Sequence, residues 1–481
     1  MCVIKMWLSF LVLGLASFGS SEEAKDRLDE TVCNTSDAPF VFRMTSKKGG
    51  IRRPSGWGSQ IATTLTSRGW GEVPISTLQD DDGNFHMNGG ARSEEDIAKL
   101  GLKNLQLTWI STGTFRKRFT DFFLAEEDLA APRGKFNHVH NNKMVGQKGP
   151  LSETLKDAPY VPETFLMWND KEREKARRFV ANNNVHKGAL SDSDRVLICK
   201  PNANAGGRGI FFVTSKSEFA EYFDANRESA KTICQHFIRD VLTLPTSDEK
   251  TRQKFDLRLY VLVDRVQNGK MRAHLHSRGL VRFAPGHYDN AAFEVGDQEK
   301  RRRRHLTNTS LHKEDRDSLS HTLSNVLAHV AREHGQPQAD MLWHKIHRVV
   351  ADVFRRAQQH LAKFPCPNCF ELFGVDLLVL NDLSVALLEI NIEPETKLRA
   401  KSHEHVKVKM LHDAFSIVFN ERDFALAKQC AEPQVLETIL SPNEFVELPL
   451  DQIIDATDQD FALKRGNRNF LEPDEPVKHE L

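Results

Sequence analysis

Two apolar runs in the C-terminal third of the chain carry acidic residues where a packed strand rarely holds them. Residues 373–380 (FGVDLLVL) contain Asp376, and residues 385–392 (VALLEINI) contain Glu389 and Asn391. Strand side chains alternate between faces, so Glu389 and Asn391 share one face, and a hairpin between the runs could bring Asp376 onto it. Buried acids need a partner, which weighs against a merely solvated face. The runs therefore predict a hard oxygen site suited to Mg²⁺.

A lysine followed by a glycine-rich segment lies well upstream of these runs. Lys200 follows the apolar run 196–199, and the segment PNANAGGRGI extends from it to Ile210. A lysine at a strand end, beside flexible backbone with exposed N–H groups, suits a polyphosphate. The spacing is not that of a P-loop, because the lysine precedes the glycines. A plain hairpin turn explains the segment equally well on this evidence.

The run 254–263 (KFDLRLYVLV) alternates ionisable and apolar residues. Lys254, Asp256, Arg258 and Tyr260 fall on one face at period two. The pattern favours a charged cleft wall above a packed core, with an ordinary surface strand as the alternative.

Strands and helices alternate along the 481 residues without a uniform βαβ period, and two to three domains are expected at this length. The pattern favours a mixed α/β (α+β) fold with two sheets over a doubly wound one. Helical stretches are predicted over 61–70 and 319–363, and strands over 257–264 and 273–283. The predicted division is a signal peptide at 1–21, an N-terminal α/β domain at 22–135, a central domain at 136–240, a C-terminal catalytic domain at 241–430 and an extended tail at 431–481.

Both ends of the sequence predict a compartment. Lys5 precedes the apolar run 6–16 and then small residues, as in a cleavable signal peptide, with an uncleaved anchor as the alternative. The last four residues, KHEL, are similar to a retrieval signal of the endoplasmic reticulum lumen. We expect a soluble resident of that lumen without a membrane span after signal cleavage, recognised by a retrieval receptor and open to glycosylation at Asn34.

The net charge bears on the possible partners, and the cysteine content bears on possible disulfides. The formal net charge is zero, so no global field favours nucleic acid or a membrane surface. Six of the seven cysteines remain after the leader, which permits disulfides without requiring them. Cys366 and Cys369 form a lone CxxC, interpreted as a structural pair or as free thiols.

Eight segments, taken together and in order, resemble the tubulin tyrosine ligase-like family. They are RGW at 68–70, KPNANAGGRGI at 200–210, CQHFI at 234–238, KFDLRLYVLV at 254–263, GLVRFA at 279–284, HLTNTS at 305–310, CFELFGVDLLV at 369–379 and LLEIN at 387–391. The resemblance implies an ATP-grasp fold with N-terminal, central and C-terminal catalytic domains. It also implies ATP and Mg²⁺ as cofactors.

The resemblance assigns roles to residues of this sequence. The nucleotide would be bound by Lys143, Lys200, Gly207, Arg208, Gly209, Ile210, Gln235, His236, Phe237, Ile238, Lys254, Asp256, Thr307 and Asn308. The Mg²⁺ ligands would be Asp376, Glu389 and Asn391. The catalytic residues would be Arg258, Arg282 and Lys313, which with Thr309 and Ser310 would hold the incoming amino acid and the activated acid.

The implied activity is ATP-dependent ligation of an amino acid, glutamate or glycine, to a protein carboxylate through an acyl-phosphate. After LLEIN the chain continues IEPETK at 392–397, where the family usually has small residues or a Ser-Pro sequence. This difference bears on which amino acid is the donor and which protein is the acceptor. A lumenal enzyme would modify a protein other than tubulin, and the four arginines at 301–304 would grip an acidic acceptor or form a solvated loop. The alternatives are a catalytically silent nucleotide-binding relative and a small-molecule carboxylate–amine ligase. The oligomeric state stays open.

Overall fold

The computed structural model describes residues 41–45, 59–72, 105–110, 134–181, 183, 195–202, 207–225, 231–246, 251–288, 297–308, 317–419 and 421–451. The predicted signal peptide, the Asn34 sequon and the KHEL tail lie outside these residues, as do Thr309, Ser310 and Lys313. The predicted domain boundaries stay a prediction, but the extended tail predicted from residue 431 is wrong over its described part, which contains a helix (Pro433–Leu440) and a paired strand (Phe445–Glu447).

Three sheets organise the described residues. A parallel N-terminal sheet has the order β2-β1-β3-β4, from β1 (Val41–Thr45), β2 (Gly71–Glu72), β3 (Leu105–Ile110) and β4 (Lys135–Phe136). An antiparallel central sheet has the order β5-β8-β6-β7, from β5 (Thr164–Leu166), β6 (Leu197–Pro201), β7 (Phe211–Val213) and β8 (Thr232–His236). An antiparallel large sheet contains β9 (Thr243–Pro245), β10 (Arg252–Gln267), β11 (Lys270–His276), β12 (Leu280–His287), β13 (Ser320–Thr322), β14 (Glu371–Val379), β15 (Val385–Ile392) and β16 (Phe445–Glu447).

Helices connect and cover these sheets, and the mixture confirms the predicted α+β architecture. They are α1 (Ser59–Thr66), α2 (Lys143–Gly146), α3 (Lys148–Thr154), α4 (Asp170–Phe179), α5 (Lys216–Phe219), α6 (Gln298–His305), α7 (Leu323–His334), α8 (Gln336–Leu361), α9 (Lys401–Val418), α10 (Glu421–Cys430) and α11 (Pro433–Leu440). Among the described helices, none combines the length and the apolar character that crossing a membrane requires.

The strand β10 is the central strand of the large sheet. It pairs with β9, β11, β12 and β14, all antiparallel. Its odd-numbered residues from Phe255 to Val263 are buried in a core shared with α7 and α8. Its even-numbered residues from Lys254 to Leu262 face the other way, and Tyr260 packs near α9 in a second core. The predicted cleft wall above a packed core is therefore what the structure shows.

Two predicted elements are each interrupted. The stretch 319–363 begins with the strand β13, not with a helix, and continues as two helices. The helices are separate because Gly335 adopts φ +91° and Pro337 opens α8 in its first turn, where no N–H is needed. The predicted strand over 273–283 is β11 and β12 joined by a turn at 277–279. A Cβ on Gly279 would lie 2.5 Å from a Leu259 methyl carbon, so the turn packs directly on β10.

Two disulfides have both partners in the described part of the chain. Cys199 of β6 is bonded to Cys234 of β8 inside the central sheet. Cys366 is bonded to Cys369 in the turn before β14, so the CxxC is a structural pair.

Candidate active site

The acidic residues of β14 and β15 meet on one face of the large sheet. The antiparallel register sets Asp376 directly opposite Glu389 and Gly374 opposite Asn391. The amide nitrogen of Asn391 lies 3.2 Å from an Asp376 carboxylate oxygen and 3.5 Å from one of Glu389. The structure thus brings together the three residues predicted as metal ligands.

Asp376 is 1% exposed and is held by two arginines. An Nη2–Oδ2 distance of 2.9 Å links it to Arg258, and another of 2.9 Å links it to Arg282. Burial alone would raise the pKa of Asp376, but the two guanidinium groups outweigh burial and hold that pKa well below its usual range. The carboxylate is therefore ionised at neutral pH, with its charge balanced inside the protein.

The oxygen ligands offered by Asp376, Glu389 and Asn391, which together we call the metal corner, fit a magnesium ion. Asp376 and Glu389 offer carboxylate oxygens and Asn391 offers an amide oxygen, which are the hard ligands that Mg²⁺ accepts. A carboxylate has about four lone-pair positions, so Asp376 can keep its arginines and still contact a metal. The three residues could therefore hold the ion while Asp376 stays ionised and paired with its arginines.

Of the described residues that line the adjoining cleft, three are lysines. Lys200 lies at the end of β6 and Lys254 on β10, both buried, and Lys148 opens α3. The Lys148 ammonium lies 3.3 Å from the Glu389 carboxylate, and the Lys254 ammonium lies 4.1 Å from the centre of the Phe237 ring. Three separate elements therefore place cations in the cleft that contains Asp376 and Glu389.

Two of these ammonium groups have lowered pKa values. Burial lowers the pKa of Lys200 to about 8, although Glu389 acts in the opposite direction. Burial also lowers the pKa of Lys254 to about 7, against the attraction of Asp256. Both charges are costly without an anion beside them, so the cleft favours a ligand that brings concentrated negative charge.

Lys148 lines the cleft and Lys143, which the resemblance had suggested, does not. Lys143 opens α2 and its side chain is exposed. The backbone N–H of Gly149 donates to the Asn202 side chain at 2.8 Å, which ties the start of α3 to the end of the strand carrying Lys200. Both lysines belong to one segment, and the only signal favouring Lys148 is Pro150, which marks a helix start beside it.

The residues predicted to hold a base line the cleft beside these lysines: Gln235, His236, Phe237 and Ile238. The Gln235 side chain accepts a 3.1 Å hydrogen bond from Lys200 and donates one to Thr164. The backbone N–H groups of His236 and Phe237 already donate to Glu163 and Val196. Recognition of a base by the backbone of this strand stays a prediction, and those two N–H groups are not its donors.

Ion pairs between neighbouring strands support the wall of the cleft that the large sheet forms. Asp256 accepts two 2.7 Å hydrogen bonds from Arg282 and a further hydrogen bond from the Thr307 hydroxyl. Asn308 follows Thr307 on the cleft surface. Asp256 and Asp376 therefore share Arg282, which fixes the spacing between β10, β12 and β14.

Residues 207–210 form one lip of the cleft. Gly207 and Gly209 have φ of +72° and +73°, a conformation that favours glycine. Arg208 is exposed at the tip, whereas Ile210 is buried in the hydrophobic cluster beneath the lip. All four residues fall where the sequence predicted a phosphate-covering segment.

The four arginines at 301–304 belong to α6, and two of them brace this lip. Arg301 is fully buried and pairs with Glu218 at 3.1 Å. Arg302 donates to the backbone carbonyl of Ile210 at 2.8 Å. The solvated loop considered for this run is wrong, because α6 packs on β12 and fastens the lip to the large sheet. A contact of the other two arginines with an acceptor stays a prediction.

The cleft lies between residues of the central sheet and residues of the large sheet and is open to solvent at its mouth. His305 closes its inner end against the rings of Phe237 and Tyr288. Burial, reinforced by Lys254, lowers the pKa of His305 well below its ordinary value, so its ring is neutral there. His305 and Tyr288 were not predicted as site residues, since only the fold brings them beside Lys254.

Comparison with known proteins agrees with this geometry. The model of the tubulin-tyrosine ligase family matches residues 131–424. The human "Probable tubulin polyglutamylase TTLL2" is 28% identical over 325 residues, covering 63% of this chain and 49% of the human protein. "Tubulin polyglutamylase ttll-4" of Caenorhabditis elegans is 25% identical over 307 residues, covering 60% of this chain and 46% of the worm protein.

A mouse relative, "Tubulin polyglutamylase TTLL6", is 24% identical over 328 residues, covering 62% of this chain and 36% of its own length. The chain thus spans about half or less of the length of these relatives. The family match extends over more than half of the 481 residues and contains the metal corner, the three lysines and both arginines. The chain belongs to the tubulin-tyrosine ligase family.

Proposed function

We propose that the protein is an ATP- and Mg²⁺-dependent ligase that joins glutamate to a carboxylate on a protein. One observation carries the proposal: Lys148, Lys200 and Lys254 line the same cleft as the Asp376–Glu389 pair, and Lys148 contacts Glu389. Polyphosphate and a divalent cation together satisfy both charge sets, and neither satisfies them alone.

The cleft residues divide the work of binding the nucleotide. The three lysines neutralise the phosphates, and the lip at 207–210 covers them with backbone N–H groups. Asp376, Glu389 and Asn391 hold Mg²⁺, which when bound withdraws charge from the phosphoryl group in transfer. Gln235 and Phe237 flank the base on the wall formed by the central sheet.

The reaction needs no nucleophilic side chain. An oxygen of the acceptor carboxylate attacks the γ-phosphorus, the bond to the bridging oxygen breaks, and ADP leaves. The amine of the incoming amino acid then attacks the acyl carbon, phosphate departs with the C–O electron pair, and the nitrogen loses a proton as the amide forms. Arg258 and Arg282 stand beside Asp376, where they bind the carboxylate of the amino acid and the developing charge.

Glutamate is the donor that we propose, because the relatives reported above are named as polyglutamylases. Glycine is the other donor to test. The acceptor is a protein with accessible carboxylates, and the open mouth of the cleft beside Arg208 gives it access.

We further propose that the ligase works in the secretory pathway. The support is the apolar run at 6–16, the KHEL sequence and the Cys199–Cys234 bond, which is typical of an oxidising compartment. Expression of the full sequence with and without its last four residues tests this. Lumenal retention that changes to secretion on removal of KHEL is expected, and cytosolic protein in both cases would refute it.

The activity is tested with purified protein, ATP, Mg²⁺, a lumenal protein extract and radiolabelled glutamate or glycine in separate reactions. Label from glutamate that enters protein only with ATP and Mg²⁺, and not with Glu389→Gln protein, is the expected result. Incorporation of label from glycine alone would show that glycine, and not glutamate, is the donor. Nucleotide binding without any transfer would favour a silent relative, and label that enters only small molecules would favour a small-molecule ligase.

A further inference from the structure

Two cysteines face each other across neighbouring strands of the central sheet. Cys199 on β6 pairs in register with Cys234 on β8, and their Cα atoms are 4.1 Å apart. That separation is close to the roughly 4.5 Å typical of a non-hydrogen-bonded antiparallel pair, in which side chains approach most closely. The two sulfur atoms are bonded to each other.

The disulfide lies directly behind the nucleotide side of the cleft. Strand side chains alternate, so the residues that follow the cysteines, Lys200 and Gln235, point to the opposite face of the sheet. These two side chains line the cleft and are joined by a 3.1 Å hydrogen bond. Both cysteines are fully buried in the core beneath them, beside Phe165. One covalent bond thus links the two strands at the positions just before Lys200 and Gln235.

We propose that the Cys199–Cys234 disulfide is a modification that positions Lys200 and Gln235 for the nucleotide. The identity of that ligand rests on the function proposed above. The strand β7 pairs with β6 only as far as Cys199, so at Lys200 the backbone of β6 is paired on the β8 side alone. A bond one residue earlier fixes the separation of β6 and β8 where the lysine leaves the sheet.

The bond forms by thiol–disulfide exchange, and its balance is simple. The thiolate of one cysteine attacks a small-molecule or protein disulfide, giving a mixed disulfide and one released thiol. The second thiolate displaces the remaining thiol, so the two cysteines lose two electrons and two protons and the oxidant gains them. Because both sulfur atoms are buried in the finished sheet, the exchange precedes closure of the core.

The bond itself is tested by peptide mapping. Full-length protein made in the secretory pathway of cultured cells is alkylated under denaturing conditions without reductant, digested and analysed by mass spectrometry. A peptide pair linking Cys199 to Cys234 is expected, and a second linked species joins Cys366 to Cys369. Alkylated Cys199 and Cys234 in the active protein would overturn the proposal.

Positioning is tested by a double-mutant cycle on Cys199→Ala and Cys234→Ala. Each single variant and the double variant should raise the KM for ATP by the same factor, about three- to tenfold, with kcat and the KM for the amino acid changed less. The matched control is the Cys366→Ala/Cys369→Ala variant, whose disulfide lies outside the cleft and whose KM for ATP should equal that of the wild type. Independent, additive effects of the two single variants would indicate packing alone and overturn the inference.

A readout without ATP separates this proposal from the proposed function. Amide hydrogen exchange over 196–201 and 232–236 should be faster in the double variant and unchanged in the control. Wild-type protein that shows the linkage and this protection but binds no ATP would refute the proposed ligand. Equal exchange in the wild type and the double variant would refute the positioning role.

Discussion

The ammonium group of Lys148 lies 3.3 Å from the carboxylate of Glu389, which joins the first turn of α3 to the metal corner. In the free protein this pair balances a charge that a metal ion and phosphate would otherwise balance. On the proposed function, arrival of both ligands would let the lysine turn to a phosphate while the carboxylate turns to the metal. The contact therefore keeps both groups near their bound positions before the nucleotide enters.

Lys148→Met should lower kcat/KM for ATP by roughly a hundredfold, because a cation next to the transferring phosphoryl group is lost. Lys143→Met is the matched control from the same segment, and its exposed side chain predicts activity near that of the wild type. Steady-state kinetics of the two purified variants decide the matter. A large loss in the Lys143 variant together with a small one in the Lys148 variant would reverse the assignment.

Glu389→Gln should leave the fold intact and remove most activity, on the order of a hundredfold or more, since a neutral amide holds Mg²⁺ far less well. Circular dichroism and turnover at increasing Mg²⁺ measure the two effects separately. Glu447→Gln at the end of β16 is the control, because it makes the same chemical change away from the cleft. Near-normal turnover of the Glu389 variant at low Mg²⁺ would contradict the metal assignment.

The metal corner could be predicted from the sequence because its information is local. Alternation within two short apolar runs fixes which side chains share a face, and the short loop between them leaves a hairpin as the natural connection. The row from Lys254 to Tyr260 was predictable for the same reason. The structure adds the ion pairs of Arg258 and Arg282 with Asp376, and with them the ionisation of that carboxylate.

The remaining features depend on which distant segments become neighbours. Apart from Pro150, nothing local distinguishes Lys148 from Lys143, since the choice depends on how α3 packs against β15. Arg301 reads as a solvated charge, yet it is buried because Glu218 lies 83 residues away in sequence and next to it in space. The Cys199–Cys234 bond likewise requires the register of β6 and β8, which cysteine spacing cannot reveal.

A buried carboxylate on β14 supports the segment that leads into α2. Glu371 is fully buried, and its carboxylate accepts hydrogen bonds from the Val139 backbone N–H at 2.9 Å and from the Asn142 side chain at 2.9 Å, with His138 Nδ1 also at 2.9 Å. Glu371→Leu would leave these polar groups buried without that partner, so it should lower the free energy of unfolding by about 3 kcal/mol.

Chemical denaturation compares this variant with Asp451→Asn, which removes an exposed ion pair to Lys270. A pair of that kind contributes about 0–1 kcal/mol, so the control should be close to the wild type. Equal stabilities of the two variants would show that the Glu371 network contributes little.

Nucleotide affinity should fall as pH rises above 8. Burial lowers the pKa of Lys200 to about 8 and Lys148 acts in the same direction, while Glu389 and Asp376 oppose them. Phosphates favour the ammonium form and so raise this pKa in the complex, which means that binding takes up a proton from solution above pH 8. For that one proton, the apparent Kd rises by up to about tenfold per pH unit until the pKa of the complex is reached.

Calorimetric titration with a non-hydrolysable ATP analogue at pH 9, in two buffers of different ionisation enthalpy, counts the protons taken up. Lys254 also titrates, because burial lowers its pKa to about 7, so the wild type should take up more than one proton. Lys200→Arg keeps its charge at every pH tested, and its uptake should be smaller by about one proton. Identical uptake by the wild type and this variant would mean that Lys200 either is already charged in the free cleft at pH 9 or does not gain a proton from the phosphates.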